Sequence, residues 1–377
     1  MRILFTGGGT GGHFYPIIAV AESVNQLVKE KRLLPPELFY MSTAPYNEGL
    51  LFENNITFKQ VSAGKLRRYF SILNFFDLFK TGWGVLGALV SVYKLYPDVV
   101  FAKGGYASFP VLFAARVLRI PVVIHESDTT PGRVTAWAGK FAEKIALSYP
   151  EAAKYFPADK TAVVGNPVRP DIAVPITEGA REFLEIESDI PVVFILGGSQ
   201  GSQIINDTVL EALPMLVEKV AIIHQAGPKN IAETRAAGEA VLFNSAHKDR
   251  YKPFDYLNPL AMRMAAGVAS VVVSRAGSTL FEIAAWGVPS IIIPIPDSNG
   301  DHQRQNAFAY ARAGACVVIE EHNLKPNILV SEIERLIADK LEHDKMSVAA
   351  KKFYKPNAAR EVAEEVLKIA LSHEIEE

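Results

Sequence analysis

The sequence predicts an α/β protein built from two doubly wound, Rossmann-like domains facing across a cleft. Three observations predict it. Short apolar runs alternate with longer stretches of helical period, the rhythm restarts midway along the chain, and glycine-rich loops stand where the runs end and the periodic stretches begin.

At 377 residues the chain exceeds what one hydrophobic core usually supports, so two domains are expected. The 39 Lys and Arg against 41 Asp and Glu leave a formal charge of −2, which offers no global basic field for nucleic acid and makes any anion site a local one. The single cysteine, Cys316, cannot form an internal disulfide, and no cysteine spacing suits a metal site; a reducing, cytoplasmic setting is expected. The opening MRILFTGGG is too short an apolar run for a secretory signal, and GWGVLGALVSVY at 82–93 falls short of the ~20 residues of a spanning helix.

Residues 3–6, 38–41, 99–102 and 122–125 are apolar on both faces, as parallel strands covered by helices are. Ile17, Val20, Ala21, Val24, Leu27 and Val28 supply the helix after the first of them. At 163–179, VVGNPVRPDIAVPITEG carries Pro167, Pro170 and Pro175 without apolar period, which marks a connector and a boundary near Pro170, between domains over 1–170 and 171–354. The rhythm restarts with DIPVVFILGGSQGS at 189–202 and a helix through Ile204, Ile205, Val209 and Leu213. Strands follow near 221–224, 271–274 and 290–293, and 357–372 read as a last amphipathic helix.

GGGTGG at 7–12 fits G-x-G-x-x-G, where glycines allow positive φ and close approach of a ligand. A dinucleotide fold wants an acid about 20 positions on, at the end of the second strand. That run ends YMST at 40–43 and the nearest acid is Glu48, which argues against a nicotinamide cofactor. Two further loops, KGGYASFP at 103–110 and GGSQGS at 197–202, also end an apolar run and open a helix. Helix N-termini present unpaired N–H groups and a positive dipole end, so the loops suit phosphates, and loops of two domains could serve two phosphorylated ligands.

His13 closes the first loop. It reads either as a capping or packing residue or as a general base, since a positive helix end disfavours imidazolium and keeps the ring neutral. In SRAGSTLFEIAAWGVPSIIIPIP at 274–296, Thr279 and Glu282 have the spacing of a capping box, and the same geometry lets a carboxylate receive ribose hydroxyls. In DHQRQNA at 301–307, Gln303 and Asn306 lie one helical turn apart and form either a polar helix face or a sugar contact.

Jointly, GGGTGGHFYP, GGYASFP, HESD, VVGNPVR, GGSQGS, HQAG, SRAGSTLFE and DHQRQNA resemble the MurG family of glycosyltransferases over nearly the whole chain. The resemblance implies the GT-B fold, with the last helix returning to the N-terminal domain. It implies inverting transfer of N-acetylglucosamine from UDP-GlcNAc to the 4-hydroxyl of undecaprenyl-pyrophosphoryl-MurNAc-pentapeptide. By motif it places Thr10, Gly11, Gly12, Arg169, Ser199, Leu257, Thr279, Glu282, Gln303 and Asn306 on the donor side. Gly104, Gly105, Tyr106 and Asp128 fall on the acceptor side, with His13 as base, aided by Glu126. Where the family commonly reads His-Glu-Gln-Asn, this chain reads His125, Glu126, Ser127 and Asp128, and RAGSTLFE is one residue shorter than usual between Gly277 and Thr279.

No cofactor is expected: UDP-GlcNAc is a substrate, the scheme requires no metal, and the chain has no Asp-x-Asp motif. A polyprenyl-diphosphate acceptor draws attention to 65–86, where Lys65, Arg67 and Arg68 precede Tyr69, Phe70, Phe75, Phe76, Phe79 and Trp83. Aromatics at helical spacing form core, or, beside basic residues, an element resting on an anionic membrane surface. The second reading predicts peripheral attachment at the cytoplasmic side of the cell membrane. Transfer to a diacylglycerol or another polyprenyl lipid, a UDP-GlcNAc epimerase of the same architecture, and a non-catalytic nucleotide-sugar binder stand as alternatives.

Overall fold

The computed structural model describes residues 1–64, 73–187, 189–198 and 201–372, with backbone alone for 73–79 and Asn299. The chain divides into two compact units, Met1–Arg169 with Lys355–Glu377, and Pro170–Tyr354.

The first unit holds a seven-stranded parallel sheet of β1 (Arg2–Thr6), β2 (Glu37–Ser42), β3 (Ile56–Gln60), β4 (Val99–Ala102), β5 (Val122–Glu126), β6 (Lys144–Leu147) and β7 (Thr161–Val163). Its spatial order is β3-β2-β1-β4-β5-β6-β7, so the order reverses between β1 and β4, where Thr6 pairs with Ala102. In open α/β sheets such a reversal is where ligands bind, beyond the strand carboxyl ends.

Alternate residues of each strand feed opposite faces of the sheet. Ile3, Phe5, Val99 and Phe101 pack with Phe14, Ile17, Val20, Ala21 and Val24 of the first helix, Gly11–Glu30. The final helix, Ala358–Leu371, adds Val362, Ala363, Val366 and Leu367 to the same cluster, which is why the C-terminus belongs to this unit. Each valine, leucine or isoleucine among them contributes about 1.5–3 kcal/mol on burial. On the other face Leu4, Val100, Ala102 and Ile124 meet Ala88 and Val92 of helix Leu73–Leu95 and Val111, Leu112 and Ala115 of helix Phe109–Val117.

The second unit repeats the plan with β8 (Val192–Leu196), β9 (Ala221–Gln225), β10 (Tyr251–Phe254), β11 (Ala269–Ser274), β12 (Ser290–Ile292) and β13 (Cys316–Val318). Their order, β10-β9-β8-β11-β12-β13, again reverses beside its first strand, here between β8 and β11. Phe194 and Leu196 face a cluster with Leu280, Ile283 and Trp286, while Val193 and Ile195 face Ile205, Val209 and Leu213 of helix Gln203–Leu216. Among the described residues, no helix is long and apolar enough to cross a membrane.

Candidate active site

In the first unit, the loops after β1 and β4 flank the reversal in strand order and touch. Gly105 has φ +82°, and a Cβ built on it would lie 2.7 Å from Gly8 Cα and 3.4 Å from His13 Nε2. Only glycine allows both that backbone and that approach. His13 therefore sits against both glycine loops, three residues into a helix whose N-cap is Thr10. The Thr10 hydroxyl does not cap the helix but lies 2.7 Å from His13 Nδ1. Gly11 is buried and Gly12 partly exposed in the first helical turn, and a Cβ on Gly11 would meet the Tyr46 hydroxyl at 2.7 Å. Tyr106 opens the turn Tyr106–Ser108 and is half-exposed; a Cβ on Gly9 would lie 4.0 Å from its hydroxyl.

At the end of β5, the buried Glu126 carboxylate accepts from the backbone N–H groups of Asp128 and Gly132, each at 3.1 Å, and so folds the turn between them. Burial, then the nearby Asp128, push its carboxyl up to about 7, against the two amides and Lys103. That range suits proton transfer near neutral pH. Asp128 itself is partly exposed on the turn.

The centre of this group is a residue that the motifs did not single out. Lys103, the last residue before the second glycine loop, is buried. Its ammonium meets His125 Nδ1 at 2.6 Å, donates to Asn166 Oδ1 at 3.3 Å, and donates to Ser127 Oγ. Burial lowers Lys103 to about 8, opposed by Glu126 and Asp128. Burial and the ammonium together hold His125 well below the usual histidine range, so Nδ1 accepts while Nε2–H donates to the Gly165 carbonyl at 2.8 Å. Arg169, on the connector just before Pro170, is buried, its guanidinium 4.7 Å from the Tyr15 ring centroid of the first helix.

In the second unit the loops after β8 and β11 flank the reversal. Ser199 lies outside the described residues. Gly201, at φ +78°, passes so close to the Ala226 carbonyl that a Cβ there would stand 2.0 Å from it. Ser202 then starts helix Gln203–Leu216 without capping it, because its Oγ accepts from Arg275 at 2.7 Å. Arg275, also missed among the motif residues, donates to the Ile293 carbonyl and pairs with Glu321 at 2.6 Å. One guanidinium thus ties three loops at the carboxyl end of this sheet.

Thr279 begins helix Thr279–Trp286 and Glu282 follows in its first turn, but the N-cap is Ser278, whose side chain makes no capping bond. Thr279 therefore does not occupy the N-cap place that a Thr-x-x-Glu capping box requires. Both residues are partly exposed. Gln303 accepts from the Ile295 N–H at 3.2 Å, and Asn306, 1% exposed, donates to the Ala276 carbonyl at 3.2 Å, so helix His302–Arg312 is fastened to the loop that carries Thr279. Leu257 is buried in the core, and its N–H donates to Gln225 Oε1 at 3.0 Å.

Two Rossmann-like sheets, each with paired loops at its strand reversal, are the plan of the GT-B fold. The chain belongs to glycosyltransferase family 28: residues 3–147 match the N-terminal domain of that family and 192–364 its C-terminal domain. It is 36% identical, over 89% of its length and 87% of the relative's, to the UDP-N-acetylglucosamine–N-acetylmuramyl-(pentapeptide) pyrophosphoryl-undecaprenol N-acetylglucosamine transferase of Treponema denticola. The crystal structure of Acinetobacter baumannii MurG superposes with a TM-score of 0.73 at 26% identity, covering 97% of this chain and 99% of that one. A UDP-GlcNAc 2-epimerase from Neisseria meningitidis bound to UDP-GlcNAc gives 0.66 at 15% identity, covering 98% of this chain and 100% of that one, a likeness of fold alone.

Proposed function

We propose that this enzyme transfers N-acetylglucosamine from UDP-GlcNAc to the 4-hydroxyl of an undecaprenyl-pyrophosphoryl-MurNAc-pentapeptide, with inversion at the anomeric carbon. The observation that carries the reading is His13: in a family 28 chain, its ring is held by Thr10 between the two glycine loops at the β1/β4 reversal.

With hydrogen on Nδ1 donated to the Thr10 hydroxyl, Nε2 is the base atom and takes the acceptor's hydroxyl proton as its oxygen attacks. Glu126, with its carboxyl near 7, assists that proton transfer through the turn it holds. Gly104, Gly105, Tyr106 and Asp128 receive the acceptor's diphosphate end. On the donor side, Thr10, Gly11 and Gly12 line the reacting sugar, Arg169 and Ser199 meet the diphosphate, Thr279 the phosphate region and Glu282 the ribose. Gln303 and Asn306 address the sugar, and Leu257 the uracil.

As UDP departs, negative charge grows on its diphosphate. Neither Ser202 nor Ser278 caps the helix that follows it; at the second helix the Leu280 and Phe281 N–H groups already donate to the Gly277 and Ser278 carbonyls, so we assign the phosphate oxygens to the first turn of helix Gln203–Leu216. Such donors stabilise the transition state more than the ground state. The scheme requires no metal and no cofactor.

The acceptor lipid calls for attachment at the cytoplasmic side of the membrane. Of the stretch 65–86, Lys65, Arg67, Arg68, Tyr69 and Phe70 lie outside the described residues, as do the side chains of Phe75, Phe76 and Phe79. Trp83, Leu86, Val90 and Tyr93 are exposed along helix Leu73–Leu95, and we assign them to the membrane-facing side.

The deciding experiment supplies radiolabelled UDP-GlcNAc with the lipid-linked muramoyl pentapeptide, and with diacylglycerol as control. Label entering the muramoyl lipid alone supports the reading; label in diacylglycerol, or none in either lipid, sinks it.

A further inference from the structure

Lys103 is buried at the carboxyl end of β4 among three acceptors from separate segments: His125 on β5, Ser127 on the turn after it, and Asn166 on the connector. Its own N–H donates to the Thr6 carbonyl at the end of β1 at 3.0 Å, and the next two residues are Gly104, which lies against Thr135, and Gly105, which lies against Gly8 and the His13 ring. An ammonium is a costly filler for a buried slot, and an unbranched apolar side chain would pack there without that cost. The charge therefore calls for a use beyond packing.

The groups around it indicate one. The charged groups acting on the ammonium are the carboxylates of Glu126 and Asp128, both from β5 and its turn. His125, the remaining titratable group in contact, is held neutral, and the glycine loop and connector offer Gly104, Gly105 and Asn166. Glu126 is already fastened to the backbone of Asp128 and Gly132, so its position is fixed and its charge is what Lys103 can still set.

We propose that Lys103 is a positioning residue for sugar transfer: its buried ammonium fixes the second glycine loop, the Ser127–Asp128 turn and the connector as one unit, and keeps negative charge on Glu126. This rests on the transferase reading above and names the residue that keeps its acceptor side in working order.

The test is the pH profile of kcat/KM for the lipid acceptor in wild type, Lys103→Met and Lys103→Gln, with folding followed by thermal melts. Without the ammonium, Glu126 gains its proton at higher pH, so the acid limb of both variants moves up by about one pH unit. Below that limb turnover falls about tenfold against wild type, and part of that loss is recovered at alkaline pH, the remainder reporting the loosened loop and turn, while KM for UDP-GlcNAc stays within about twofold. A residue that merely supports the fold would lower the rate equally at every pH. Profiles that superimpose on wild type overturn the proposal, as does a failure of both neutral variants to fold, which would make Lys103 a scaffold residue. A wild-type enzyme that moves no sugar to the lipid would instead overturn the transferase reading, and this proposal with it.

Discussion

The Thr10 hydroxyl lies 2.7 Å from His13 Nδ1, so the N-cap residue of the first helix holds an imidazole rather than the helix. A side chain that gives up its capping bond leaves the first-turn N–H groups to other partners and fixes a ring that would otherwise rotate. Thr10→Val keeps the shape and removes the oxygen. It should lower kcat about tenfold, against about 10²–10⁴-fold for His13→Ala, with affinity for UDP, which lacks the sugar that Thr10 lines, spared in both. Steady-state rates and UDP titration calorimetry check this; an unchanged kcat in Thr10→Val would remove the hydroxyl from the mechanism.

Gly105→Ala should be among the most damaging single-methyl changes in the first unit. The new Cβ would stand 2.7 Å from Gly8 Cα and 2.9 Å from Gly8 N, in backbone against backbone, at a φ of +82°. Strain of this kind costs about 1–3 kcal/mol, and the displaced loop carries the His13 contact with it. Gly82→Ala is the matched control, because a Cβ there meets nothing within 4 Å inside a helix. It should raise stability by about 0.5–1 kcal/mol. Melting curves of the two variants should move in opposite directions.

The central strands were legible in the sequence because they are buried on both faces and carry no polar interruption. VVFA at 99–102 and VVFIL at 192–196 are read without tertiary information. The outer strands were not. β3 alternates as ITFKQ, with Thr57, Lys59 and Gln60 exposed, β10 carries Pro253, and β13 is the short CVV, so each resembles loop or half-exposed surface. The glycine loops announce themselves by composition, whereas Lys103 and Arg275 do not. A lone basic residue in sequence reads as solvent-exposed, and only pairings across 22 to 73 positions place these two in the interior. The Thr279–Glu282 spacing misled in the other direction, since the chain enters that helix one residue earlier, at Ser278.

Acid should destabilise the second unit through His224. The ring is buried between Tyr251 and Asn206, bonded at 2.9 and 3.0 Å, and desolvation lowers it to about 3. Below pH 6.5 the unfolded chain binds a proton that the folded one refuses, so stability is full above that pH and is lost as pH falls toward about 3. The slope is about 1.4 kcal/mol per pH unit, or about 2 kcal/mol between pH 7 and 5. Trp286 is the tryptophan of this unit, so urea unfolding followed by fluorescence in a Trp83→Phe/Trp137→Phe background isolates it. His224→Gln should flatten the dependence over that interval; an equal slope in wild type and variant would assign the acid sensitivity elsewhere.

Helix Leu73–Leu95 offers the sharpest test of membrane attachment. Its inner face places Ala88 and Val92 in the core at 0% exposure, while Trp83, Leu86, Val90 and Tyr93 stand 75, 57, 54 and 66% exposed at spacings of three, four and three residues. Those steps keep one face of a helix. An apolar stripe left in water is unfavourable at about 0.8 kcal/mol per CH₂ that a bilayer interface could bury, and Lys80 and Lys94 on the same helix add attraction to anionic headgroups. Wild type should therefore sediment with vesicles containing anionic lipid, less so at high salt, and Trp83→Ser/Tyr93→Ser should weaken retention about tenfold or more. The same double variant should keep its melting temperature, because neither side chain is buried in the core clusters. Retention equal to wild type would show that this face does not meet lipid. A loss of retention accompanied by a large fall in melting temperature would mean that the two rings serve the fold instead.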